Sequence, residues 1–282
     1  MQRGSIQIAT CQFPISADIP RNAACILRQI DQAAEAHATV VHFPEAALSG
    51  YAGVDLLSWH DYDWETLISS TRRICASAAK RRIWIILSSA HQLSGKHLPH
   101  NSLYIIDPRG RIVDRYDKRF CTLADLKHYS PGDHFTVFSI NGIRCGALIC
   151  HDARYPELYR AYKKMAVQVI FHSFYNARKK GRTVLSQVMI PTLQGHAASN
   201  YIWISAANAS ASYQSWRSAL LQPDGRIARS LPQHRSAVMV HTLDTTRQFY
   251  DACGPWTRRA LSGKLNTGRL VNDPRSRLRT SY

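Results

Sequence analysis

Apolar and polar positions alternate over residues 5–13, where Ile6 and Ile8 mark one face of a strand that Pro14 stops. Across 20–37 the period changes. Ala23, Ile26, Leu27, Ile30, Ala33 and Ala34 recur at helical spacing, which predicts an amphipathic helix. Thr39-Val40-Val41-His42-Phe43 is a short β-branched strand ended by Pro44. The pattern then predicts a helix over 64–81, a buried strand over 83–88, and strands over 102–106 and 112–117 joined by Asp107-Pro108-Arg109-Gly110. Residues 119–133 read as an irregular loop closing on Pro131-Gly132. Strands over 135–140 and 143–149 flank Asn141-Gly142, a strong two-residue hairpin signal. A helix opened by Pro156 runs over 157–165, a strand over 167–171, and a helix kinked by Pro191 over 183–200. Three more strands follow at 202–207, 218–222 and 237–243, and beyond Tyr250 the pattern is lost.

Strands interleaved with a few helices, with hairpins among them, predict an α/β protein with a two-layer sheet core covered by helices. No repeat, low-complexity block or linker breaks the chain before its basic end, so one domain over 1–250 and a tail over 251–282 are expected. Composition is otherwise ordinary for a globular enzyme, with 45% hydrophobic and 20% charged residues. Charge changes the picture, because 36 Lys and Arg against 19 Asp and Glu leave a formal net charge of +17. Such a surface suits an anionic substrate, a polyanion or plain solubility. Seven irregularly spaced cysteines argue against a disulfide framework and for a reducing compartment. With neither a signal-peptide pattern nor a membrane-length apolar run, the cytoplasm is the expected location and a membrane is not an expected partner.

Three residues at the C-terminal ends of predicted strands carry the candidate chemistry. Glu45 follows the strand at 39–43, Lys118 the strand at 112–117, and Cys150 the strand at 143–149. Ligands tend to bind outside such strand ends in α/β sheets. A carboxylate, an ammonium and a thiol meeting there suffice for acyl transfer: Glu45 as general base, Cys150 as nucleophile, Lys118 as the charge that stabilises an oxyanion. The helix after Cys150 is expected to favour its thiolate. Taken singly, a loop glutamate, a snorkelling lysine and a buried cysteine are ordinary.

Together they resemble the nitrilase superfamily of carbon–nitrogen hydrolases. The resemblance is carried by Phe43-Pro44-Glu45 with Ser49-Gly50-Tyr51, by Tyr116-Asp117-Lys118, and by Cys150-His151-Asp152-Ala153-Arg154-Tyr155-Pro156-Glu157. Weaker echoes are Ser130-Pro131-Gly132-Asp133, Ala206-Ala207-Asn208 and Pro223-Asp224-Gly225-Arg226, so the likeness runs in order from Ser5 to about Leu243. It implies a four-layer αββα sandwich, a cofactor-free Glu-Lys-Cys triad with no metal, and homodimers or larger homo-oligomers. Relatives carry a second active-site glutamate whose place falls here on Asp125, one methylene shorter. Supporting roles fall to Asp125, His151 and Glu157, with Asp152, Arg154 and Glu157 expected to buttress the turn. Tyr51, Tyr129, Arg154, Tyr155, His172 and Ser173 are the candidate substrate contacts. Where many relatives show Arg-Ala-x-Glu-Asn, this chain has His196-Ala197-Ala198-Ser199-Asn200, which removes an ionic pair expected near the family's dimer interface.

His151-Asp152 after the cysteine resembles the amidase and carbamoylase branches rather than nitrilases, which tend to have Trp-Glu there. The expected reaction is therefore hydrolysis of a small linear amide or N-carbamoyl compound by water through a cysteine thioester. Nitrile hydrolysis is the alternative within the family. A rival of another class is a nucleic-acid- or polyanion-binding protein on an inactive scaffold, suggested by Arg72-Arg73, Lys80-Arg81-Arg82, Arg178-Lys179-Lys180-Gly181-Arg182, Arg258-Arg259 and the basic tail. These clusters are scattered, with no recognisable binding module around them.

Overall fold

In chain order the elements are β1 (Ser5–Gln12), α1 (Ile19–Glu35), β2 (Val40–His42), α2 (Trp64–Arg81), β3 (Trp84–His91), β4 (His100–Ile106), β5 (Ile112–Asp117), β6 (Val137–Ile140) and β7 (Ile143–Ile149). Then come α3 (Pro156–Lys164), β8 (Val169–Phe174), α4 (Val184–Asn200), β9 (Trp203–Asn208), β10 (Ala219–Leu221), β11 (Ile227–Ser230), β12 (Ala237–Asp244), α5 (Gly254–Leu261) and α6 (Pro274–Arg277). This is a computed structural model, which describes residues 4–176, 181 and 183–280. Most of the basic run at 178–182 therefore lies outside the described residues.

Local chemistry sets these boundaries. Asp18 caps α1 by accepting from the Arg21 N–H at 3.0 Å, and Asp63 caps α2 through the Thr66 N–H at 2.8 Å. Asn141 and Gly142 sit at φ of 50° and 82°, the left-handed pair that a tight hairpin turn requires. Asp125–Lys127 forms a 3₁₀ turn inside the loop read as irregular. β11 was not anticipated by the apolar pattern, and the tail carries two short helices without a buried residue.

The strands form two six-stranded sheets, ordered β12-β1-β2-β3-β4-β5 and β11-β10-β9-β8-β7-β6. Each has a parallel centre, β1-β2-β3 in one and β7-β8-β9 in the other, flanked by antiparallel strands. Helices α1 and α2 cover the first sheet, packing Ile26, Ile30, Ile74 and Ala78 against Ala9, Val41 and Ile85. Helices α3 and α4 cover the second. The layers are thus αββα, and strands buried on both faces explain the long apolar runs. Gly146 of β7 is required by this packing, since a Cβ there would stand 2.6 Å from the Tyr162 ring of α3.

A chain of polar groups crosses between the sheets. Ser173 Oγ donates to the Phe43 carbonyl at 2.7 Å, so it must accept from His42 Nε2–H at 2.9 Å. Ser205 then donates to His42 Nδ1 at 2.9 Å and accepts from Thr10 at 3.0 Å. Burial pushes His42 down to about 3, which keeps the ring neutral as this arrangement needs. Among the described residues, no helix is long and apolar enough to cross a membrane.

Candidate active site

Glu45, Lys118 and Cys150 leave three strands at one end of the sandwich and converge there. Lys118, directly after β5, is fully buried and is held by its own backbone. Its N–H donates to the Asn101 carbonyl at 2.8 Å, and its carbonyl accepts from Gly132 at 2.9 Å. A Cβ at Gly132 would lie 2.4 Å from Asp117 Cβ, so only glycine closes the loop this tightly. The ammonium stands 2.9 Å from Glu45 Oε1 and 2.9 Å from Asp125 Oδ2. Asp125 thus occupies the place of a second carboxylate despite its shorter side chain. Tyr51 donates to Asp125 Oδ1 at 2.5 Å, and the Thr122 N–H donates to Oδ2 at 2.9 Å.

The two oxygens of Glu45 have different partners. Oε1 accepts from Lys118 and from Asn101 Nδ2 at 2.8 Å, while Oε2 accepts from the Tyr175 N–H at 2.9 Å. The Cys150 thiol lies against this carboxylate. Cys150 follows the last residue of β7 at φ 46°, a left-handed conformation costly for a side-chain-bearing residue. The turn is held by buried Asp152, which accepts from the Ile149 N–H at 3.0 Å, the Phe120 N–H at 2.9 Å and the Tyr116 hydroxyl at 2.8 Å.

Electrostatics follow from burial and this pairing. Burial pushes the Glu45 carboxyl up, and Lys118 only partly offsets it. Burial alone would depress Lys118, but the surrounding acidic groups, led by Glu45, reverse the effect and hold it charged. Asp125 is burdened by burial yet falls below the usual carboxylate range because Lys118 and Tyr51 stabilise its charge. The Cys150 thiol is pushed up by burial and by the Glu45 carboxylate, which corrects the expected resting thiolate. The dipole of α3 does not reach it, since a 3₁₀ turn over Cys150–Arg154 separates the thiol from Pro156. The absorbance of the protein at 240 nm, minus that of a Cys150→Ala variant, is therefore expected to stay flat up to pH 8. A step below neutrality would contradict a proton resting on sulfur.

Of the other candidate contacts, Tyr51, Arg154 and His151 line a cavity of about 770 Å³ together with Lys118, Asp125 and Cys150. Tyr129, Tyr155, His172 and Ser173 do not line it. Tyr129 is buried behind Tyr51 and accepts from the Ala52 N–H at 2.9 Å. Tyr155 stacks on Phe120, with ring centres 3.5 Å apart. His172 bonds the Tyr159 hydroxyl at 2.8 Å inside the core, and Ser173 belongs to the chain between the sheets. Arg154 and Glu157 are exposed and make no hydrogen bond or ion pair among the described residues, so Asp152 alone of the three expected groups buttresses the turn. The sequence reading missed Asn101 and Tyr175, which hold Glu45, and Asn176 and Trp216, which line the cavity. Among the described residues, no group of three or more His, Cys, Asp or Glu is placed to hold a metal ion.

Comparison with known proteins bears on the family and the fold. The chain is 24% identical over 254 residues to nitrilase homolog 2 of Dictyostelium discoideum, covering 80% of this chain and 73% of that protein. It is 24% identical over 243 residues to the omega-amidase of Homo sapiens, covering 79% and 83%. The fold matches an amidase from Nesterenkonia sp. AN1 with a TM-score of 0.76 at 21% identity, over 86% of this chain and 92% of that one. Residues 7–250 match the carbon–nitrogen hydrolase profile. The chain belongs to the carbon–nitrogen hydrolase family, enzymes that hydrolyse carbon–nitrogen bonds other than peptide bonds.

Proposed function

We propose that the protein is a thiol amidohydrolase that cleaves a small linear amide or N-carbamoyl compound through a thioester on Cys150. One observation carries the reading: a sulfur beside a buried carboxylate whose Oε1 lies 2.9 Å from a buried ammonium, with the cysteine and the lysine lining one cavity. In a glutamate-to-glutamine mutant of the Nesterenkonia amidase, the acetamide moiety of fluoroacetamide adds covalently at the active site cysteine, which supports a nucleophilic role for the cysteine here.

In this mechanism Glu45 takes the thiol proton as sulfur attacks the carbonyl carbon, so no free thiolate is needed beforehand. Its raised proton affinity suits that task. Negative charge then gathers on the carbonyl oxygen, where Lys118 and the backbone N–H groups after Cys150 stabilise it. Collapse breaks the carbon–nitrogen bond, and protonated Glu45 gives its proton to the departing amine. Water repeats the cycle on the thioester: Glu45 takes a water proton as the oxygen adds, then returns that proton to sulfur as the carbon–sulfur bond breaks, releasing the acid and restoring the thiol. Asp125 holds Lys118 and Tyr51 in place throughout.

The test is a panel of short amides, N-carbamoyl amines, N-carbamoyl amino acids and nitriles, scored by ammonia release. Mass spectrometry of the quenched reaction is expected to find the acyl group on Cys150. An adduct on Cys121 or Cys145, or turnover of nitriles alone, would overturn the proposal.

A further inference from the structure

The turn that carries the nucleophile, a 3₁₀ stretch over Cys150–Arg154, cannot satisfy its own backbone. Its Asp152 carbonyl accepts from the Tyr155 N–H at 3.1 Å, the i to i+3 bond of such a turn. One step further, the Ala153 carbonyl would accept from residue 156. That residue is Pro156, which has no N–H to give. The missing donor comes from α4, where His196 Nε2 lies 2.9 Å from the carbonyl oxygen of buried Ala153. His196 is also the residue at which this chain departs from the first position of Arg-Ala-x-Glu-Asn.

The imidazole is set up as a donor. A carbonyl only accepts, so Nε2 carries the proton, and burial keeps the ring from taking a second one at neutral pH. Its plane is fixed by Tyr159 of α3, on which it stacks with ring centres 3.9 Å apart. Tyr159 is fully buried, and its hydroxyl lies 2.8 Å from His172 Nδ1 on β8. On the other side, Asp152 ties the same turn to the Phe120 N–H at 2.9 Å. Two consecutive residues of the turn are thus anchored to different parts of the fold. Such anchoring is what a backbone strained at φ 46° on Cys150 requires in order to persist.

We propose that His196 is a positioning residue for the reaction. By holding the Ala153 carbonyl, it aims the backbone N–H groups after Cys150 at the oxygen that turns negative as sulfur adds. It does not line the cavity, so it acts through the turn and not on the substrate. The proposal rests on the amidase reading and adds to it the group that sets the geometry of the oxyanion donors.

Two variants separate the hydrogen bond from the packing. His196→Phe keeps the stack on Tyr159 and removes the donor, whereas His196→Gln gives up the ring and keeps an N–H at similar reach. On the best amide of the panel, His196→Phe is expected to lower kcat by about tenfold to a hundredfold with KM within about twofold, the scale of a misaimed catalytic group. His196→Gln is expected to recover kcat to within about threefold of native. His196→Leu, with neither ring nor donor, stands in should the phenylalanine variant not fold. Propanal reads the same geometry without turnover: sulfur bonds to the aldehyde carbon as Glu45 takes the thiol proton, nothing leaves, and the oxygen rests against the turn. Its hemithioacetal, followed by NMR of the labelled carbonyl carbon with Cys150→Ala as the blank, is expected to weaken in His196→Phe by the same factor as kcat. A merely structural role would lower the melting temperature and leave kcat, KM and propanal affinity per folded molecule unchanged. That result, or a glutamine variant no better than phenylalanine, would overturn the positioning role and leave the amidase reading standing. A native protein that neither binds propanal nor hydrolyses any amide would overturn both.

Discussion

Alanine at position 150 is expected to lower amide turnover by about four to six orders of magnitude, the scale seen when a nucleophile that acts as part of a unit is removed. The fold is expected to survive. Cys150 is partly open to the cavity, and its turn is held by Asp152 and by β7 rather than by sulfur. Alanine keeps the Cβ and therefore the same left-handed strain at φ 46°, so the comparison isolates the thiol. Glu45 keeps Lys118, Asn101 and the Tyr175 N–H as partners, and its carboxylate stays in position without the cysteine. A variant with native thermal stability and circular dichroism but no ammonia release is the expected result. Appreciable turnover would remove Cys150 from the chemistry. The remaining cysteines offer no substitute: among the described residues, Cys150 is the only cysteine that lines the cavity.

The same distinction between side chain and backbone explains what the sequence made legible. Helix α2 could be bounded because Asp63 caps it and the apolar stripe ends at Arg81. The Asn141-Gly142 turn announced itself because few residue pairs adopt two positive φ values without strain, and Asn-Gly is one of them. By contrast β11, Ile227-Ala228-Arg229-Ser230, is partly exposed along most of its length and shows no alternation. At the site, Glu45, Lys118 and Cys150 stood out through their motifs. Their anchors did not, because Tyr175 serves through its backbone N–H and Asn101 through a contact between distant strands. His172 and Ser173 were misjudged for a related reason. Every residue of β8 is buried, so closeness in sequence to the site says nothing about which of them faces the cavity.

Lys118→Met shows how far the site depends on one charge. Methionine has nearly the length of lysine and none of its charge, leaving Glu45 and Asp125 as two buried carboxylates beside each other. Turnover is expected to fall by about two to three orders of magnitude, as when an oxyanion donor is lost. Stability is expected to fall by about 3–5 kcal/mol at neutral pH, because breaking a buried pair strands the remaining charge. The pH dependence gives the sharper signature. In the native protein Asp125 lies below its ordinary range, so its contribution is present at neutral pH and lost on acidification. Without Lys118 the Asp125 carboxyl moves above its unfolded value and that of Glu45, already raised, climbs further; a group so raised stabilises only below its unfolded pKa and loses that contribution as pH rises. Thermal melts of the variant, referred to the native protein, should therefore fall further behind between pH 5 and pH 8. The acid limb of its residual activity should move to higher pH, since Glu45 must ionise before it can accept a proton from sulfur. A pH-independent loss of stability with a change confined to KM would instead mean that Lys118 only binds substrate.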